Sequence, residues 1–361
     1  MNNKSFNKSG TEYINSLIKE AIENETRTAT VSGAHEIAEA VRIPSNFTLI
    51  LEDCHLRLKD GTYTNVFVNE HHDTDLGKTV NGTDRNISII GRGEAIIDGG
   101  EFNGLGEKVP IDERPAPIWK NNLILFTNVD GFKISGISCI NQRWWATNFV
   151  FCRNGYIGNI DFCSNDTCID EDGNIYHGLS RRKHLEQYRK ILVKNSDGID
   201  LRQGCHDILI ENITGFTEDD TVALTGLNGN LEKHFKVEGL STDIYNVTIK
   251  NIASAAFCSN VRLLNQSGVK LHDITVDGVT DTSDTDTHLD GGNYAVRVGD
   301  KHLYGTRHST EEETYNITVK NVLAKSECAI VLAGAMKNFV MYGIECQNGC
   351  KMLIDYRGQE K

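Results

Sequence analysis

A short phrase returns along this chain: a β-type residue, any residue, a second β-type residue, any residue, then Asn, Asp or Gly, then Ile or Val. Copies run Phe132-Lys133-Ile134-Ser135-Gly136-Ile137, Tyr156-Ile157-Gly158-Asn159-Ile160 and Leu209-Ile210-Glu211-Asn212-Ile213. Others are Val247 to Ile252, Val269 to Ile274, Ile317 to Val322 and Phe339 to Ile344. The final residues fall 23 apart between Ile137 and Ile160, and 22 apart from Ile252 to Ile274 and from Val322 to Ile344. A period near 22 residues with alternating apolar positions and a bend residue is what a parallel β-helix requires, one coil per period. Leucine-rich repeats have a similar period, but their Leu-x-x-Leu-x-Leu frame is absent. Jelly rolls and propellers need Asn-Gly hairpin signals, which are scarce here.

The expected fold is therefore all-β: a single-stranded right-handed parallel β-helix with an N-terminal capping helix, forming one domain over residues 1–361. An open coil exposes its core and its strand edges, so the first one needs a cover. Residues 9–26 supply it, with Ile14, Leu17, Ile18, Ala21 and Ile22 on one helical stripe and Ser9 with Glu12 as a capping box. Two polar stretches, 165–193 and 281–313, break the rhythm and read as inserted loops flanking a groove.

Hydrophobic residues make up 39% of the 361, enough for a large core. A net charge of −13 excludes nucleic acid and anionic membrane surfaces as partners. A polyanionic substrate would need a local basic pocket. No apolar leader precedes the first strands, so the expected location is the cytoplasm of a bacterium. The ten cysteines include no Cys-x-x-Cys pair, and Cys139, Cys163 and Cys346 fall at expected inward positions. They read as reduced, buried thiols.

Chemistry concentrates in two turns, Asn195-Ser196-Asp197-Gly198-Ile199-Asp200-Leu201 and Glu218-Asp219-Asp220-Thr221-Val222-Ala223-Leu224. Asp197 and Asp219 are separated by 22 residues, one coil period, which places them on neighbouring rungs about 4.8 Å apart. Carboxylates that close push one pKa upward, so one acid keeps a proton while its partners stay ionised. Cleavage of a glycosidic bond uses such a set: an acid for the leaving oxygen and a base for water.

These turns resemble the Asn-Thr-Asp-Gly and Asp-Asp motifs of glycoside hydrolase family 28, the polygalacturonases, within the pectin-lyase-like superfamily. His234 and Gly239 match the ends of that family's His-Gly-x-Ser-Ile-Gly segment, and Val261-Arg262-Leu263-Leu264 falls at its Arg-Ile-Lys. Supporting matches run from Gly91-Arg92-Gly93 to Trp144-Trp145. The resemblance implies an inverting glycoside hydrolase acting on pectin-like or related oligosaccharides or polysaccharides without metal or cofactor. By the same resemblance Asp219 is the general acid, Asp197 and Asp220 position and deprotonate the water, and His234 tunes the acid. Arg262 and Asn195 bind substrate, with Trp145, Tyr294 and Arg297 beside them. Leu264 departs from the family, standing where its uronate-binding Lys would be, and Arg181, Arg182, Lys183 and His184 are near enough in sequence to replace that charge.

Two rival functions remain on the same scaffold. A polysaccharide lyase or epimerase uses a Lys or Arg base and yields unsaturated or epimerised products. A carbohydrate-binding fibre does no chemistry at all. Elsewhere, Glu70-His71-His72-Asp73-x-Asp75 has the composition of a metal cluster but reads as an exposed loop.

Overall fold

The computed structural model describes residues 5–100, 116–178, 185–191, 196–265, 268–283, 292–299 and 309–357. Its strands form two ten-stranded sheets, with a further two-stranded hairpin at Cys168–Ile169 and Ile175–Tyr176. Long strands such as Arg153–Cys163, His206–Thr217 and Ile244–Ala256 make the first sheet, and short ones such as Trp144–Val150, Ser196–Leu201 and Val222–Gly226 make the second. Every rung-to-rung pairing in both sheets is parallel, and the chain alternates between the sheets as it climbs. This is the right-handed parallel β-helix that the repeat predicts.

Apolar residues stack in columns between the sheets. Ile134, Ile157, Ile210, Ile249, Val276 and Val319 are register partners in turn, and all are buried. Each covers the one below, so every rung removes apolar area from water at about 25 cal/mol per Å². The bend residue of the repeated phrase is a left-handed residue within the long strand: Asn159, Asn212 and Asn251 have φ of 54°, 57° and 51°. Asn is tolerated there because its short polar side chain bonds locally. The Nδ2 of Asn212 donates to Asn159 Oδ1, and that of Asn251 to Asn212 Oδ1, both at 3.2 Å. The ladder thus links one rung to the next.

From the strand Val129–Ile140 onward, however, each described coil carries two such bends five residues apart, as at Asn246 and Asn251, Asp273 and Gly278, or Asn316 and Asn321. The copy ending at Ile274 belongs to the first bend. Ile274 pairs with Val247, whereas Ile252 pairs with Val279, so that spacing is 27 rather than 22.

The helix Gly10–Glu23 covers the first rung, delivering Ile14, Ile18 and Ala21 to the core. Its N-terminus departs from expectation: Ser9 makes no side-chain cap, and its backbone (φ −101°, ψ 37°) is not extended as a capping residue's would be. All ten cysteines are free. Cys139 is buried, Cys163 is half-buried and Cys346 is exposed, because the last rung has no rung above it among the described residues. The stretch 281–313 is not wholly a loop, since it contains the rung strand Tyr294–Val298. No helix among the described residues is long and apolar enough to cross a membrane.

Candidate active site

The outer face of the second sheet divides in two. Over the earlier rungs Val68, Leu125, Trp144, Trp145, Val150 and Phe151 form an apolar patch, and Leu231, Phe235 and Val237 fold back to cover it. The following rungs carry a cavity of about 510 Å³ lined by Asp197, Asp200, Asp219, Asp220, Arg202, Arg262, Arg297, Trp145, Tyr294, Cys258 and Leu264.

Strand register builds this cavity. Ile199 pairs with Val222, which places Asp197 level with Asp220 rather than with Asp219, a shift of one residue from the expected alignment. Ser196–Leu201 also pairs with Trp144–Val150, setting Asp197 against Trp145. Fifty-two residues separate these two in sequence, yet they are one rung apart, because the 165–193 excursion leaves and rejoins the stack between adjacent coils. Ala223 pairs with Arg262, and Arg262 with Arg297, continuing the outward column. Gly198 permits the close passage of the next rung, since a Cβ there would run into the Thr221 carbonyl oxygen.

Asp197, Asp219 and Asp220 converge, their nearest carboxylate oxygens lying within 4.8 Å of one another. The Asp220 N–H donates to Asp197 Oδ1 at 3.0 Å, tying the two turns together. Asp197 is held well above the usual carboxylate range by burial and then by the charges of Asp200, Asp219 and Asp220. Burial and the neighbouring Asp219 push Asp220 up to about 7 against the opposing charge of Arg262. Such values let the site keep a proton near neutrality while part of it stays ionised. Cys258 is pushed up by burial and by Asp219 and Asp220, so it remains a neutral thiol and no nucleophile.

Sequence reasoning missed two charged residues of the cavity. Asp200 follows Asp197 on the same strand and is 1% exposed. Burial raises it to about 7 despite the adjacent Arg202. Arg202 is clamped from three sides: its Nε donates to Asn148 Oδ1 at 3.1 Å, Nη1 to Glu232 Oε1 at 2.8 Å and Nη2 to Asp200 Oδ1 at 3.3 Å. Its guanidinium also lies 4.0 Å from the Trp145 ring centroid. The available signal was alternation, since Asp200 and Arg202 share the outward face of one strand.

The predicted binding residues Arg262, Trp145, Tyr294 and Arg297 all line the cavity. Arg262 is 4% exposed and its Nη2 has no hydrogen-bond partner among the described residues. Trp145 forms wall rather than open platform, because it is 7% exposed and Arg202 covers one of its faces. Asn195, Arg181, Arg182, Lys183 and His184 lie outside the described residues.

His234 is not brought to the acids. It ends the short helix Asn230–His234, bonds Asp73 through Nε2 at 2.5 Å and stacks on Trp119 at 4.2 Å. The cause is the apolar fold-back: Phe235 and Val237 carry this segment toward the earlier rungs and take His234 with them. The 70–75 segment is likewise dispersed among separate partners. His72 is buried, which lowers its pKa to about 3, and Asp73 holds His234. Glu70, His71 and Asp84 offer ligand atoms within 4.8 Å of one another. The Asp84 oxygens, though, already bond Ser45, Asn69 and the backbone and ring of His71.

No protein-family model matches the chain, and no curated protein does. Solved structures match along its whole length. A 1,3-alpha-1,4-beta-D-galactose-4-sulfate-3,6-anhydro-D-galactose-2-sulfate 4 galactohydrolase aligns with 100% of this chain and 89% of its own at TM-score 0.61 and 13% identity. An iota-carrageenase of family GH82 from A. fortis gives 100%, 89%, 0.60 and 13%. A tailspike protein of E. coli bacteriophage HK620, a double mutant in complex with a pentasaccharide, aligns with 98% of this chain at TM-score 0.59 and 12% identity, and the chain spans 60% of it. The likeness is one of fold.

Proposed function

We propose that the cavity hydrolyses glycosidic bonds of an oligosaccharide or polysaccharide. The observation that carries this reading is the convergence of three carboxyls within 4.8 Å, in a cavity also lined by Arg262 and Tyr294. Burial and mutual repulsion hold Asp197 and Asp220 above the usual carboxylate range, so the cluster keeps a proton while part of it stays ionised, and glycoside hydrolysis requires such an acid and base at one pH. The carbohydrate-active neighbours of the same fold support it.

Asp219 gives its proton to the leaving oxygen as the C–O bond breaks. Asp197, tied to the Asp220 N–H, takes a proton from the water that attacks the anomeric carbon. The nearest oxygens lie within 4.8 Å, closer than the roughly 6.5–9.5 Å between the two carboxyls of most inverting enzymes and the roughly 5–5.5 Å of retaining ones, so inversion rests on the family resemblance and not on this spacing. Inversion is the proposed outcome, with that water entering opposite the leaving group. A pectin-like glycan or a related one is the proposed substrate class, although Leu264 lines the wall where family 28 has its uronate-binding Lys.

The test is a panel of uronate-containing, sulfated and neutral oligosaccharides, scored for new reducing ends and for product anomer by proton NMR. Wild-type protein is expected to cut at least one, with Asp219→Asn reduced roughly 10²–10⁴-fold, the usual contribution of a general acid. Equal cutting by the variant sinks the assignment. Products with unsaturated, ultraviolet-absorbing ends would instead mark a lyase.

A further inference from the structure

Asp200 is a buried acid to which the hydrolytic scheme gives no task. Its Oδ1 is occupied, accepting from Thr225 Oγ1 and from Arg202 Nη2, each at 3.3 Å. Its Oδ2 is buried and has no donor among the described residues. A buried acceptor left unmatched is destabilising, so its retention calls for an explanation. The carboxyl of Asp197, three residues earlier on the same strand and lining the same cavity, is also within hydrogen-bonding reach of the Asp200 carboxyl. Two carboxylates in contact repel, and they are bonded only when one of them holds a proton.

We infer that Asp200 is the positioning partner of Asp197, its Oδ2 accepting a hydrogen bond from the proton that Asp197 takes from the attacking water. This rests on the hydrolytic reading of the cavity. In the step, a water O–H bond breaks and its proton passes to Asp197. The water oxygen bonds the anomeric carbon, the glycosidic C–O bond breaks, and Asp219 protonates the leaving oxygen. The new O–H of Asp197 then points at Asp200 Oδ2. On product release Asp197 returns its proton through water to Asp219, and the acids are reset.

The charged groups around Asp200 suit this task. On its own strand lie Asp197 and Arg202, and the preceding turn of the next rung brings Asp219 and Asp220. Glu232, on the short helix, bonds the far side of Arg202 and fixes the guanidinium that orients Asp200. Arg262, two rungs on, faces the same cavity. Arg202 keeps Asp200 in place without neutralising it fully, because Glu232 takes a share of the same cation. An anionic neighbour makes Asp197 the stronger base.

Asp200→Asn tests this, because Asn keeps the shape and the Oδ1 acceptor but turns the second atom from acceptor to donor. The expected result is a kcat roughly tenfold lower with KM within twofold, well short of losing the general base itself. With the neighbouring charge gone, Asp197 ionises more easily, so the acid limb of the kcat profile moves to lower pH. A profile superimposable on the wild type, or a loss confined to KM, overturns the proposal. Should that variant fail to fold, Thr225→Val removes one donor to ionised Asp200 and is expected to move the acid limb to higher pH; no movement overturns it equally. Infrared titration of 13C-labelled aspartates separates this idea from the function on which it rests. A wild type that cuts no glycan refutes hydrolysis. A carboxyl that stays protonated toward pH 7 in wild type, and titrates lower in Asp200→Asn, upholds the pair by itself, and its absence refutes it.

Discussion

Replacing Asp220 by Asn should make the protein more stable, by an amount that grows from about pH 4 and is complete above about pH 7. The folded chain raises this carboxyl from the usual 3.8 to about 7, chiefly by burial and by the Asp219 charge. A group whose folded pKa lies above its unfolded value favours the fold fully at low pH. That contribution is lost progressively from about pH 4 and is gone above about pH 7. Three pKa units at 1.36 kcal/mol each set a ceiling of about 4 kcal/mol. Sharing of the shift with Asp219, and the half-buried state of Asp220, reduce this to about 2 kcal/mol. For 361 residues the unfolding entropy is of order 0.8 kcal/mol/K, so 2 kcal/mol corresponds to roughly 2–3 °C in Tm. The assay is calorimetry of wild type and Asp220→Asn between pH 4 and 8.5 at one scan rate, with reversibility checked by a second scan so that Tm reports equilibrium stability. The Tm difference should sit at its baseline near pH 4, grow through pH 6 and level off above pH 7. A flat difference, or a variant that loses ground at alkaline pH, would show that the site does not strain against its own charge.

Two further outcomes follow from the geometry. His234→Ala should break the Asp73 pair and the Trp119 stack, lowering stability by about 1 kcal/mol, while the pH profile of any glycan cleavage stays that of the wild type. Asn212→Ala should destabilise by about 2 kcal/mol in chemical denaturation, through lost ladder bonds and a β-carbon forced to positive φ, whereas Asn212→Gly should lose less because only the bonds are gone.

How much was legible in the sequence depended on range. The coil architecture was readable because a left-handed bend selects Asn, Asp or Gly at the same place in every rung, and that selection is local. Register was harder. Asn246 and Asn251 stand in one coil, each followed closely by an apolar inward residue, and no local rule tells the first bend from the second. The one-residue error that matched Asp197 to Asp219 instead of Asp220 has the same root. Asp197, Asp219 and Asp220 did converge, because each lies at the mouth of a strand whose rung is fixed by the core. Trp145 turned out closer than its sequence distance suggested, since an excursion adds residues without adding a rung. His234 was misplaced for a non-local reason: the direction of the 227–240 segment is set by where Phe235 and Val237 find an apolar surface, and that surface was laid down roughly 80 to 170 residues earlier.

One property of the stack bears on how the cavity behaves in time. Each strand bonds only the rung before and the rung after, so cooperativity runs along a line rather than through a volume. The cavity draws on consecutive inner rungs, from Trp144–Val150 through Tyr294–Val298, with paired strands on both sides. Opening of an outer rung, such as the exposed final pair Lys337–Cys346 and Lys351–Asp355, spends itself before it reaches them. Amide protection should accordingly fall toward the C-terminal end and peak around the acids, so that the carboxyl spacing is held in the slowest-exchanging part of the molecule.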